Sequence, residues 1–272
     1  MKLIITGSSG FLGGELINIL KKNKKYKIIQ IPKNINLLSK KITQDFIRSH
    51  NPDILLHLAA FVPKTKSDFN NLKKVSQNHK MLLNVVSKIN CPIIFISSMT
   101  VYEGCKNRLY SETDTLNPMT KYAIDKLKSE KFLKKNKFDS FILRIPGLYG
   151  VRRKKGLIYN LTKSLIENKQ YSLPNEKLEW AAMNVTDVAK SIEKLIKLKI
   201  KGCNIVNLSY DETYSINRLI KILEKHFKRS IEYSIIHPDI RFSLINAKKY
   251  KIFTPAKLQY SILKFKKVLE KK

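Results

Sequence analysis

Lys2-Leu3-Ile4-Ile5-Thr6-Gly7-Ser8-Ser9-Gly10-Phe11-Leu12-Gly13-Gly14 carries the chain from an apolar run through spaced glycines into an amphipathic segment. The pattern predicts a strand, a tight turn and a helix. Gly7 permits the sharp turn, Gly10 lets backbone approach a ligand, and Gly13 lets the helix pack on the strand. N–H groups at the helix N-terminus can then face a pyrophosphate. Placed directly after a buried strand, the GxxGxxG spacing reads as a dinucleotide cradle, with Ser9, Phe11 and Leu12 on the same turn.

Beyond the first helix the pattern repeats. A second strand is expected at Lys27 to Ile31. An acidic residue at its end would bond the ribose 2′-hydroxyl of NAD, but the chain has Ile31-Pro32-Lys33. The Lys33 cation suits a 2′-phosphate, so NADP is favoured over NAD. Asn34 to Ser49 leads into one short helix. Pro52 to Ala60 reads as a buried parallel strand whose small-residue end leaves room for a cofactor, with His57 as a satisfied core residue. Residues 68 to 89 form a long amphipathic helix containing Asn78, and Pro92 to Ser98 a strand ending in Ser97 and Ser98. This alternation implies an α/β fold: a Rossmann doubly wound parallel sheet with its site at the carboxyl ends of the strands.

Thr120 to Lys126 begins a further helix with Tyr122 and Lys126 on one face. An ammonium beside a phenol favours phenolate, so Tyr122 can exchange a proton with a substrate alcohol or carbonyl, and Ser98 would bond the same oxygen. The spacing recurs at Tyr102/Lys106, Tyr159/Lys163 and Tyr260/Lys264. Only the pair at 122 and 126 combines a helix, a serine at a strand end and the upstream glycines.

The formal net charge is +32, which raises a nucleic-acid reading. The lysines are spread over nearly every expected helix, however, and the only dense run is Arg152 to Lys155, so no specific nucleic-acid partner is expected. No apolar run approaches the ~18 residues of a membrane span. A secretory leader is not expected, because residues 2 to 5 lead straight into a strand. Cys91, Cys105 and Cys203 form no CxxC pair, which fits a cytoplasmic protein and offers no metal site.

The chain resembles the extended short-chain dehydrogenase/reductases of the NAD-dependent epimerase/dehydratase family, which act mostly on nucleotide-activated sugars. The resemblance rests on the glycine motif, His57-Leu58-Ala59-Ala60, Asn78, Ser97-Ser98 with Val101-Tyr102, Tyr122/Lys126, Arg144 to Gly150 and Val185 to Ala189. It implies that Asn36 and Leu37 flank the adenine, that Leu58, Ala59, Ala60 and Asn78 lie along the cofactor, and that Ser98, Tyr122 and Lys126 are the catalytic trio. Lys126 would also hold the nicotinamide ribose, and Ser98, Met99 and Tyr122 would meet the substrate. Family dehydratases carry an Asp-Glu pair where this chain has Met99 and Thr100, which argues against dehydration. The short connection after the second strand resembles the compact 4-ketoreductases of the family, which use NADPH.

From Val151 the elements become shorter, so residues 1 to 150 are read as the cofactor domain and 151 to 272 as a smaller substrate lobe packed on it. Arg152, within Arg152-Arg153-Lys154-Lys155, and Arg241 are candidate clamps for a substrate diphosphate. The resulting expectation is a reductase of a nucleotide-linked sugar using NADPH, serving deoxysugar or surface-polysaccharide synthesis. A 4-epimerase with tightly held NAD is the alternative. A non-catalytic NADP sensor would have no need of the trio. Family members often dimerise through the helices corresponding to residues 68 to 89 and 118 to 136, so a homodimer is expected.

Overall fold

The computed structural model describes residues 1–65, 67–87, 89–105, 109–173, 179–210, 214–235, 243–244 and 258–269. Strand β1 (Lys2–Thr6) lies inside a six-stranded sheet and pairs in parallel with β2 (Lys27–Gln30) on one side and β3 (Ile54–His57) on the other. Beyond β3 follow β4 (Ile93–Ser98), β5 (Ser140–Ile145) and β6 (Cys203–Asn207), each parallel to its neighbour. The strand order reverses between β1 and β3. In such sheets the crevice at the carboxyl ends of those two strands is where a ligand binds.

Period-two alternation sends successive side chains to opposite faces. Leu3 and Ile5, Ile54 and Leu56, Ile94 and Ile96, and Phe141 and Leu143 enter one core. Ile4, Leu55, Ile93 and Phe95, and Ile142 enter the other. Both faces are therefore buried, and the strands read as continuous apolar runs. The first core is closed by α1 (Phe11–Leu20), through Leu12, Leu16, Ile17 and Leu20, and by α6 (Val185–Ile196). The second is closed by α2 (Lys40–His50), α3 (Leu72–Val86) and α4 (Lys121–Lys135), which contribute Ile47, Leu82, Val85 and Leu133. The Asn71 side chain caps α3 by accepting from Lys74 N, and Thr120 caps α4 by accepting from Ala123 N, each satisfying an otherwise orphaned donor.

The segments on either side of the expected boundary at residue 150 share one sheet. Strand β6, from the second segment, pairs with β5 over Cys203 to Asn207. Helices α5 (Leu157–Glu167), α7 (Ile216–Phe227) and α8 (Leu258–Leu269) share the core that holds Leu3 and Ile5. One continuous core therefore joins the two segments. The second segment contributes an edge strand to the sheet and helices to its core. Among the described residues no helix is long and apolar enough to cross a membrane.

Candidate active site

The turn after β1 is shaped by backbone contact. Gly7 has φ +68°, and a Cβ there would lie 2.6 Å from Ala59 N; a Cβ on Gly13 would lie 2.2 Å from Gly7 O. No larger residue fits either place without moving backbone. Gly10 N donates to Gly7 O at 3.0 Å and the residue faces the cleft. The Thr6 hydroxyl ties this turn to the next one by accepting from Leu58 N and Ala59 N, each at 3.1 Å. It lies 2.9 Å from His57 Nδ1. His57 is buried and uncharged: desolvation, and secondarily the Lys126 cation, push it down to about 3. Its expected role as a satisfied core residue stands.

A cleft of about 340 Å³ opens over these turns. Its floor includes Gly7, Gly10, Phe11, Leu12 and Gly13; Leu58 and Ala60 come from the end of β3, Ser98 and Met99 from the end of β4, and Tyr122 and Lys126 from α4. Helix α4 lies beside β4, so its first two turns present Tyr122 and Lys126 toward the same strand ends. The Ser98 side chain hydrogen-bonds the Tyr122 hydroxyl. Ser98 Oγ also accepts from Thr100 N at 3.2 Å, which fixes its rotamer. The Phe69 ring meets the Tyr122 ring edge-on at 5.7 Å.

The electrostatics differ from the sequence expectation. Burial pushes the Tyr122 phenol above its ordinary value, Asp125 adds to this, and only the Ser98 bond opposes it. Lys126 Nζ does not point at the phenol oxygen. It donates to Ile96 O at 2.9 Å and lies 5.1 Å from the Phe95 ring centre and 5.8 Å from that of Tyr122. Desolvation draws Lys126 down to about 8, against the pull of Asp125 and Glu130. The site thus holds Tyr122 as a neutral phenol, a form able to donate a proton.

The remaining predicted residues divide. Met99, Leu58 and Ala60 line the cleft, whereas Ala59 turns toward the second core. Asn78 is buried outside it and anchors the following loop: its Oδ1 accepts from Phe61 N at 2.6 Å and its Nδ2 donates to Phe61 O at 3.0 Å. Ser9 and Lys33 are exposed. Asn36, also exposed, accepts from Leu38 N, while Leu37 is a core residue whose carbonyl accepts from Asn84 Nδ2 at 2.9 Å. Arg152 lies against α1, its Nη1 2.7 Å from where a Cβ on Gly14 would project, in a smaller cavity with Glu15 and Asp187. Arg241 lies outside the described residues.

Of the two neighbouring arginines, Arg153 and not Arg152 lines this cleft. Its Nη1 donates to Leu148 O at 3.3 Å, and its guanidinium sits 6.0 Å from the Phe11 ring centre. Its buried Nε has no hydrogen-bond partner and burial lowers its pKa. A partly desolvated cation left in this state suits an anionic ligand. In the sequence the two arginines are equivalent members of a basic run, and only the path of the loop separates them. Among the described residues no His, Cys, Asp or Glu cluster could hold a metal.

Residues 1–210 match a family model described as RmlD substrate binding domain. The chain is similar to the dTDP-4-dehydrorhamnose reductase of Aggregatibacter actinomycetemcomitans, 26% identical over 153 residues, a match spanning 55% of this chain and 52% of that protein. It is also similar to the uncharacterized UDP-glucose epimerase YtcB of Bacillus subtilis (strain 168), 26% identical over 260 residues and covering 82% of this chain and 81% of that one. Its fold matches the structure of RMD from Pseudomonas aeruginosa complexed with NADPH, with TM-score 0.83 and 18% identity over 100% of this chain and 99% of that one. With the family match running from the glycine turn through the last strand of the sheet, the chain belongs to the RmlD substrate-binding-domain family of short-chain dehydrogenase/reductase-like proteins.

Proposed function

We propose that the protein is an NAD(P)-dependent oxidoreductase of a nucleotide-activated sugar, acting as a 4-ketoreductase with NADPH. The observation that carries this reading is the meeting of the glycine turn with Ser98, Tyr122 and Lys126 in one cleft. The turn fits a dinucleotide because Gly7 and Gly13 leave no space for side chains of their own while Gly10 faces the cleft. Leu58 and Ala60 would lie along the cofactor, and Arg153 suits a phosphate of the cofactor or substrate. When bound, the nicotinamide supplies the hydride chemistry. Tyr122, held as a neutral phenol, donates a proton to the substrate oxygen, and Ser98 bonds that same oxygen. Lys126 then stabilises the phenolate left behind. None of the described residues lining the cleft is Asp or Glu, which supports reduction over dehydration.

NADP is favoured because the end of β2 presents Lys33 in place of a carboxylate. The 4-epimerase reading stays open on the similarity to YtcB over most of both chains, and would require tightly held NAD. The free thiols of Cys91, Cys105 and Cys203 support a cytoplasmic setting, and α3 and α4 form the proposed dimer face. The test is to identify any nucleotide released on denaturation, titrate the empty protein with NADPH and NADH, and assay dTDP-, GDP- and UDP-linked 4-keto sugars. Empty protein preferring NADPH and reducing such a sugar supports the reductase. Stoichiometric bound NAD supports the epimerase, and failure to bind either cofactor sinks both. Tyr122→Phe should lower kcat by roughly 10²–10⁴-fold with cofactor affinity nearly unchanged; full turnover by this variant would overturn the assignment of the proton donor.

A further inference from the structure

Three consecutive residues at the end of β4 engage three successive turns of α4. The Ile96 carbonyl accepts from Lys126, the Ser97 hydroxyl donates to Glu130, and the Ser98 side chain bonds Tyr122. Tyr122, Lys126 and Glu130 are four residues apart and share one face of the helix. The first two line the cleft, whereas Glu130 does not. Glu130 is 2% exposed and its carboxylate is gripped from the next strand by Arg144, itself 2% exposed. Arg144 Nε lies 3.2 Å from both carboxylate oxygens and Nη2 donates to Oε2 at 2.7 Å. Arg144 Nη1 also donates to Tyr102 Oη at 2.6 Å, tying the pair to the turn after β4.

A buried ion pair is a weak source of stability, because desolvating two charges offsets most of their attraction; fixing a unique register is its best-attested use. We propose that Glu130, locked by Arg144, is a positioning residue for the Tyr122–Lys126 pair. It fixes the register of α4 on β4 and places a buried negative charge one turn from the Lys126 ammonium. This inference rests on the catalytic reading of Tyr122 and Lys126 given above.

Three elements set the charge around Lys126. From β3 comes His57, which is uncharged, and from β4 come the Phe95 ring and the Ile96 carbonyl. From α4 come the Tyr122 ring, Asp125 and Glu130. An Asp125 carboxylate oxygen already accepts from His79 N at 3.1 Å. Glu130 is thus one of two carboxylates favouring the charged lysine, and the one anchored to the strand that ends in Ser98.

The experiment is a titration of ¹³C-lysine-labelled protein by NMR between pH 6 and 11, which needs no substrate. One lysine signal should titrate with a midpoint near 8, apart from the surface lysines near ~10.4, and should vanish in Lys126→Arg. In Glu130→Gln the midpoint should fall by about one unit, a tenfold change in the charged-to-neutral ratio. If that variant does not fold, Glu130→Gln/Arg144→Met leaves no bare buried ion, and its midpoint should fall in the same direction by less, because the opposing Arg144 cation is removed with the carboxylate. With an accepted nucleotide sugar, kcat should drop about tenfold, with KM within about twofold and the alkaline limb of the pH profile moved acidward. Ser97→Thr, which keeps the hydroxyl, should retain activity that Ser97→Ala loses. An unmoved lysine midpoint, or a moved midpoint with unchanged kcat, overturns the proposal. If the wild type turns over no nucleotide sugar, the functional reading fails and the titration still decides the place of Glu130.

Discussion

Single residues set the limits of the site. A methyl group on Gly13 would strike the Gly7 carbonyl, whereas the one close contact of a methyl on Gly14 would be the far end of the Arg152 side chain. Gly13→Ala should therefore destabilise the protein by about 1–3 kcal/mol and weaken NADPH binding more than about tenfold. Gly14→Ala should bind normally and gain up to about 1 kcal/mol from helix propensity. Urea unfolding and NADPH titration compare the two, and equal behaviour would contradict the packing described. Lys126 gives a pH prediction. Its folded-state pKa of about 8 lies below the ordinary value, so between about 8 and ~10.4 the unfolded chain binds more protons and stability rises with pH. Below that window the burial penalty is fully present. Lys126→Met should be more stable than wild type at pH 7, inactive, and should lose this advantage by pH 10. Denaturant midpoints at both pH values check the sign.

At the scale of elements, the site depends on strand ends being tied to one another. Thr6 joins the ends of β1 and β3 through one hydroxyl that accepts from two backbone donors. Thr6→Val keeps the shape but leaves Leu58 N and Ala59 N without that acceptor, at a cost of about 1–3 kcal/mol. It should also weaken cofactor binding, because the Leu58 to Ala60 turn is released from Gly7. Normal stability and normal affinity together would show that the tie is dispensable. Helix α4 is held by more than its apolar face: its N-cap is Thr120, and its buried polar residues meet β4 one turn at a time.

For the whole molecule, charge bears on the proposed dimer. The outward sides of α3 and α4 expose Lys73, Lys80, Lys121, Lys128, Lys131 and Lys135 around the apolar Leu72 and Ile124. A two-fold interface places the same patch on both partners, so lysines would oppose lysines. Dimerisation through this face should therefore tighten as salt rises, since the screening length falls from about 10 Å at 0.1 M to about 3 Å at 1 M. Sedimentation velocity at 50 and 500 mM NaCl tests this, and a dimer that weakens with salt would point to a different interface.

The sequence by itself determined the strand, turn and helix of residues 2 to 20, the parallel α/β alternation, and the candidacy of Ser98, Tyr122 and Lys126. These follow from local periodicity, glycine sterics and spacing along one helix face, all of which act within a few residues. It also identified His57 as core, because a lone histidine in an apolar strand has little alternative. Tertiary structure alone decided that Cys203 to Asn207 completes the sheet, that Arg153 and not Arg152 faces the cleft, and that Asn78 anchors a loop. It also set the charge balance at Tyr122 and Lys126. Each of these depends on which distant segments are brought into contact and how much water they exclude, and no local pattern in the chain encodes either quantity.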